Sequence, residues 1–277
     1  MTDIKLNPEL CIKCGICEKI CVRKAIDIEK RLIDKEKCFG CSQCITVCKV
    51  CAISINDKTG EFLDFKGINS DDFKKMIILK RSVRFFSDKE IDENILKDIA
   101  EIVKFSPTAK NQQEVNLTIV RDKETLKKTT ALSIKYFKKL SSLLNRFSKP
   151  FLTLITGKRN IRNLYGLQKL VLNYEEGKDP LLFNAKALFI FHAEKKSTMA
   201  EADCNIAASY SSLYAESLGL GSCYNGYLVR SLNGSNKLRR ELMIPENHKV
   251  FETFVLGYPL YKYQNSPVRD EKNITII

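Results

Sequence analysis

The sequence predicts a protein of two mixed helix-and-strand domains, a small one made by internal duplication and a larger one with its own hydrophobic core. Three observations carry this expectation. Eight cysteines near the start form two copies of CxxCxxCxxxC, Cys11, Cys14, Cys17 and Cys21, then Cys38, Cys41, Cys44 and Cys48. The surroundings repeat with them, since Ala25-Ile26-x-Ile28 answers to Ala52-Ile53-x-Ile55. At 277 residues, 44% hydrophobic and 29% charged, the chain also has length and composition for a second, conventionally cored domain.

Thiolates at this spacing build iron-sulfur clusters. Three cysteines two residues apart let one tight loop wrap a cube of iron and sulfide, while the fourth, at the start of a helix, points to the other cluster. The crossed pattern assigns Cys11, Cys14, Cys17 and Cys48 to one [4Fe-4S] cluster and Cys38, Cys41, Cys44 and Cys21 to the other. A pair of zinc sites is the alternative, because CxxC pairs suit tetrahedral zinc, but the third cysteine of each run then has no task. These residues resemble the bacterial two-cluster ferredoxins, which implies a duplicated βαβ domain over residues 1–58. Where those ferredoxins carry proline after the fourth cysteine, this chain has Val22 and Lys49. The change removes a rigid turn residue but no ligand, so altered cluster exposure or potential is expected. Cys51 stands where the other half has Lys24 and is expected to be an extra thiol rather than a ligand.

The formal charge of +13 raises a nucleic-acid reading. Residues 1–60 contribute +3, which two clusters of about 2− each would bring to about −1. The other +10 is scattered, without an RGG box, a recognition-helix motif or a basic block with interleaved aromatics. A solvated surface is therefore expected, with no nucleic-acid partner, although the field can steer acidic partners or phosphates. No run approaches the roughly 20 apolar residues of a membrane span, and Met1–Leu10 carries Asp3 and Glu9 and lacks an apolar h-region. With cluster ligands favouring a reducing compartment, a cytoplasmic location is expected.

Beyond the repeat, Asn56–Ser70 reads as a linker, with its span set at 59–72 and the larger domain at 73–277. Ser70 is expected to cap a helix that carries Phe73, Met76 and Ile77 on one face. That helix delivers Lys80-Arg81-Ser82-Val83-Arg84, three cations and a hydroxyl suited to a phosphate dianion. Ile91, Ile95, Ile99, Ile102 and Val103 mark a second helix that stops at Ser106-Pro107. The loop Pro107-Thr108-Ala109-Lys110-Asn111-Gln112-Gln113 offers amides for the edge of a heterocycle and leads into a strand over Val115–Val120. Residues Thr125–Pro180 are the least legible. Leu132, Tyr136, Leu140 and Leu144 follow helical spacing, a basic run lies near Lys158–Arg162, and Tyr136, Phe137, Tyr165 and Tyr174 are read as core ahead of substrate pocket. His192, ending the apolar strand from Ala187, and His248 show no sequence partner and are given structural roles. Cys204 and Cys223 are expected to pack as small apolar groups.

Taken in order with Gly219-Leu220-Gly221-Ser222-Cys223 and Leu256-Gly257-Tyr258-Pro259, these motifs resemble the nitroreductase-type FMN flavoproteins from residue 73 to about 270. Lys80-Arg81-Ser82-x-Arg84 matches the family's RRSxR, with lysine first, and Pro107-Thr108-x-x-Asn111-x-Gln113 matches PSxxNxQP, with Glu114 in place of the last proline. The resemblance implies an α+β fold with helices around a central sheet and a homodimer with FMN sites at the subunit interface. It also implies a long core helix over Ala202–Leu218, a backbone N–H at Asn225-Gly226 facing flavin N5, and Arg269 closing on the phosphate. Joined to two clusters, such a domain is expected to be an oxidoreductase. Electrons would pass one at a time through the two clusters to FMN, which would reduce or oxidise a small conjugated acceptor such as a nitro compound or quinone, with ferredoxin or NAD(P)H as the electron donor. No catalytic acid or base is assigned. The alternative is a relay that passes electrons to a partner protein and has no small substrate of its own.

Overall fold

A computed structural model of the chain describes residues 3–142 and 165–277. It divides into two compact units, residues 1–68 with 108–113, and residues 69–107 with 114–277. The expected helical residue Leu144 and the basic run at Lys158–Arg162 lie outside the described residues.

The first unit is built twice. Strand β1 (Ile4–Leu6), helix α1 (Ile16–Ile20) and strand β2 (Ile26–Asp27) are followed by β3 (Leu32–Ile33), α2 (Gln43–Thr46) and β4 (Ile53–Ile55). The halves interlock, because β1 pairs antiparallel with β4 and β2 with β3. The duplication extends to backbone angles. Lys13 and Gly40, Gly15 and Ser42, and Lys24 and Cys51 are matched pairs of left-handed residues. Left-handed residues on both sides of Cys14 and Cys41 let a short loop double back around one point. Ile4, Ile26, Ile28 and Ile53 form a small core with Cys17 and Cys44. The unit also runs past the expected edge of the repeat: β5 (Lys58–Thr59) returns on β4 through Asn56 and Asp57, both at positive φ, the geometry of a type I′ hairpin.

In the second unit α3 (Ser70–Leu79) is capped one residue earlier than expected, by Asn69, whose side chain accepts from the Asp72 N–H at 3.0 Å. Helix α4 (Glu93–Glu101) is capped by Asp92. Ile91 before the cap and Leu96 in the first turns are both buried in one cluster, a hydrophobic staple that sets the angle of entry. Then come β6 (Asn116–Val120), α5 (Lys123–Ser141), α6 over residues 165–175, β7 (Ala187–Glu194) and α7 (Ala200–Ser217). Strand β8 (Gly221–Tyr224), α8 (Gly226–Gly234), α9 (Asn236–Glu241) and β9 (His248–Gly257) complete the order.

The four-stranded sheet runs β6-β7-β9-β8, every neighbour antiparallel. Strand β7 is buried at every residue but Glu194, so both its faces must be covered. Its alternation divides two cores. Leu188 and Ile190 face Phe137 of α5, Leu167 of α6 and Leu228 of α8, whereas Phe189 and Phe191 face α4 and α7. Helix α7 meets the sheet with Cys204, Ala207, Ala208 and Ala215, small side chains that let its backbone approach. Of the aromatics read as core, Phe137 is fully buried and Tyr136 and Tyr174 pack on the first cluster, while Tyr165 is exposed. Among the described residues no helix is long and apolar enough to cross a membrane.

His192 and His248, without a partner in sequence, are partners of each other. A β7–β9 bulge beside His192 accompanies the pair, whose Nδ1 atoms lie 2.8 Å apart, and His192 Nε2 meets Thr118 Oγ1 at 3.0 Å. Burial, then the His248 and Arg239 charges, lower the His192 pKa from 6.5 to about 4. As pH falls the unfolded chain takes up this proton first. Stability present above about pH 6.5 should therefore be lost progressively toward pH 4, on the order of 3 kcal/mol in all. The urea midpoint should fall with pH across that window in the wild type and less in His192→Gln. Equal slopes for the two proteins would contradict a neutral buried imidazole.

Candidate functional site

The cysteines sort in space as the crossed pattern requires. One hollow of the first unit is lined by Cys11, Cys14, Cys17 and Cys48, and a second by Cys21, Cys38, Cys41 and Cys44. Each therefore takes three thiols from one half and the fourth from the other. The last cysteine of each run is oriented by the backbone, since Cys21 Sγ accepts from the Ala25 N–H at 3.3 Å and Cys48 Sγ from the Ala52 N–H at 3.2 Å. N–H donors on sulfur favour the thiolate and tune the metal it binds. As free thiols the deepest pair resist ionisation. Burial, then the neighbouring Cys14 and Cys48 charges, push Cys17 up, and burial with Cys38 and Cys41 pushes Cys44 up to about 11. Iron in each hollow would reverse that preference by supplying positive charge among the sulfurs. Among the described residues no three His, Cys, Asp or Glu side chains converge as on a single bound ion. The thiols stand around a hollow instead. Cys51 Sγ turns to the Gly60 carbonyl at 3.4 Å and lines neither hollow.

In the second unit, α3 ends at Lys80 and delivers an extended segment to strand β8. Val83 N–H donates to the Ser222 carbonyl at 3.0 Å, and Ser82 forms a parallel bridge with Ser222. This places the segment on the sheet edge because Gly221 and Gly257 leave room for Val83 and Phe86. Lys80 turns inward, donating to Ser222 Oγ at 2.8 Å with Glu216 at 3.7 Å. Burial lowers the Lys80 pKa and raises that of Glu216, with each partner's charge opposing its shift. At 3.7 Å the contact is an ion pair but not a hydrogen bond, so Glu216 Oε2 is left without a donor. Lys80 thus anchors the segment, Arg81 is half-buried, and Ser82 and Arg84 are exposed.

The other expected residues separate into three groups. Asn225 is buried and structural: its Oδ1 caps α8 at the Leu228 N–H and its Nδ2 donates to the Leu181 carbonyl at 2.6 Å. Gly226 beside it opens α8 with no heavy atom within 4 Å of a would-be Cβ, which leaves space for a ligand over the helix start. Thr108, Asn111 and Gln113 fall in the first unit, whereas Pro107 stays in the second. Three residues of that loop, Lys110, Asn111 and Gln113, are left-handed, and Thr108 Oγ1 secures it by accepting the Gln113 N–H at 3.0 Å. Arg269 lies on an exposed C-terminal stretch without regular structure. The expected set is thus not gathered within one unit. Cys204 and Cys223 are buried thiols, pushed up by burial, to about 12 for Cys204.

Sequence reasoning missed Phe183 and Asn184, which are left-handed at φ 56° and 57° on the loop before β7. Asp179 three residues before Leu182 is the one local signal, an acidic turn former whose carboxylate takes the Leu182 and Asn184 N–H groups at 3.0 and 3.1 Å.

Residues 78–258 match the Nitroreductase family. A protein of Archaeoglobus fulgidus named for NADH dehydrogenase/NAD(P)H nitroreductase is 29% identical over 190 residues, 67% of this chain and 84% of that protein. A nitroreductase of Desulfitobacterium hafniense solved with bound FMN shares the fold at a TM-score of 0.56 and 19% identity, over 76% of this chain and all 100% of that one. One from Bacteroides fragilis, also with bound FMN, does so at 0.55 and 23%, with 76% and 100% covered.

Proposed function

We propose, for a chain that belongs to the nitroreductase family, that it is an FMN-dependent oxidoreductase fed by two [4Fe-4S] clusters. The clusters would occupy the two hollows of a ferredoxin-like domain, and the FMN domain would act as a homodimer. When bound, the clusters supply electrons one at a time and FMN supplies them in pairs to the acceptor. A quinone then takes two electrons and two protons to become a hydroquinone; a nitro group takes the same to become nitroso and water. The donor is ferredoxin or NAD(P)H.

The observation that carries the wiring is the pair of hollows, each lined by one complete crossed set of cysteines. The chain's own residues hold and orient. Ser82 and Arg84 present a hydroxyl and a cation to the phosphate from a segment fixed on β8, and the open start of α8 offers the Gly226 N–H to the ring. Arg269 and the Thr108–Gln113 loop complete the set in the reading taken from the family motifs.

Anaerobic purification should yield a brown-yellow protein with about eight irons and about one FMN per chain. After dithionite reduction, a nitroaromatic or a quinone should reoxidise it. Reoxidation only by a partner protein would make it a relay, and two zinc ions with no iron would end the cluster reading. Arg84→Ala should weaken FMN about tenfold, the size of one charge-assisted hydrogen bond, read from flavin fluorescence released on dilution. Unchanged retention would remove Arg84 from the phosphate site.

A further inference from the structure

Building on the flavin reading, we propose that the second unit holds a recognition cleft for the electron acceptor, and that the cleft selects a planar aromatic acceptor bearing a carboxylate. It lies within that unit, between the start of α5, the end of α6 with the loop to β7, and the residues from Arg84 onward. The cleft has a volume of about 1170 Å³ and is partly open to solvent, just above the upper end of the ~300–1,000 Å³ of an ordinary small-ligand site. A flavin reaching its edge at Arg84 would leave room for a second ring. Arg84 alone of the expected flavin residues lines it, so the cleft is largely distinct from that set.

Six Lys and Arg side chains line the cleft against three carboxylates. Those carboxylates are engaged already. Asp179 holds the loop by the Leu182 and Asn184 N–H groups, and Lys186 sits 3.0 Å from Glu90 and 3.8 Å from Asp88. Arg84 and Lys123, by contrast, have no carboxylate within ion-pair distance among the described residues. The loop that Asp179 pins carries Phe183 in a left-handed conformation, which a bulky side chain rarely adopts without a surrounding structure that enforces it. That conformation sets the ring beneath the Arg84 guanidinium, whose centre is 5.9 Å from the ring centroid. An aromatic face and an unneutralised cation lining one cleft are what a ring with an attached carboxylate requires, the ring packing on Phe183 and the anion reaching Lys123 while Arg84 serves the flavin phosphate.

The test uses oxidised, FMN-loaded full chain and isothermal titration with 4-nitrobenzoate and with nitrobenzene. Nitrobenzoate should bind about tenfold more tightly at low salt, and the preference should shrink several-fold near ~0.5 M salt, because the cations are solvent-exposed. Lys123→Ala should weaken nitrobenzoate about threefold and leave nitrobenzene unchanged. Phe183→Leu should weaken both ligands, with FMN retained in each variant. Equal affinity for the two ligands overturns the proposal, as does an unaffected Lys123→Ala. Loss of FMN from Phe183→Leu would make the cleft the flavin's own site and also overturn it. Should the purified chain take up no FMN, the flavin reading fails on that measurement, while the ratio of the two affinities still judges the cleft.

Discussion

The Cys14→Ala protein is expected to lose about four of its roughly eight irons, accept electrons from a ferredoxin-type donor far more slowly, and keep its FMN. A [4Fe-4S] cube of this kind is held by four thiolates, and the hollow around Cys14 has no spare: Cys51 faces the Gly60 carbonyl and lines neither hollow. FMN should survive because most of its expected residues, Ser82, Arg84 and Gly226 among them, belong to the other unit, and only the Thr108–Gln113 loop falls in the first. The crossed wiring gives a sharper form of the experiment. Cys14→Ala combined with Cys48→Ala should remove no more iron than either alone, because both thiols line one hollow though they sit in different halves. Cys14→Ala combined with Cys21→Ala should remove nearly all iron, although those two cysteines share one run. The reverse pattern would mean that each run closes its own cluster, and the interlocked reading would fall.

Gly221→Ala should cost about 1–3 kcal/mol by overpacking and loosen FMN at the same time. An added Cβ would lie 2.4 Å from Val83 Cγ2 and 2.9 Å from Pro259 Cγ. Val83 is 1% exposed and hydrogen-bonded to β8, so it has nowhere to retreat without lifting the segment that carries Ser82 and Arg84. Both melting temperature and FMN content should fall. Adding Val83→Ala should restore part of each, since the second change removes the atoms that clash, and the coupling in this cycle should be favourable. Additive losses would show that Gly221 is required for some reason other than the approach of Val83.

Much of the element order was legible. Apolar runs marked β6 and β7, the spacing of Ile95 and Ile99 marked α4, and the stop at Ser106-Pro107 falls after the 3-10 turn Ile102–Phe105 that follows the end of α4 at Glu101. Boundaries were less so. Asn69 caps α3 ahead of Ser70 because either short polar side chain can accept the orphan N–H, and only the incoming backbone angle selects between them. The linker began too early because the Asn56-Asp57 turn reads as a break in periodicity, whereas it returns the chain as β5. Of the candidate site, the residue types were visible but not their partners. Lys80 belongs to a cationic cluster in sequence, yet Ser222 and Glu216 claim it, and Asn225, read for a backbone N–H facing a flavin, uses its side chain to cap a helix.

By itself the sequence determined what depends on spacing along the chain: the two cysteine runs, their duplication, and the motif order of the flavin domain. These interactions close within a few residues, so spacing alone constrains them. Tertiary structure decided what depends on distant segments meeting: the pairing of His192 with His248 through β7 and β9, and the Phe183–Arg84 stack. Strand order and register bring those side chains together, and hydrophobic periodicity, which tells each strand which face to bury, does not name its neighbour.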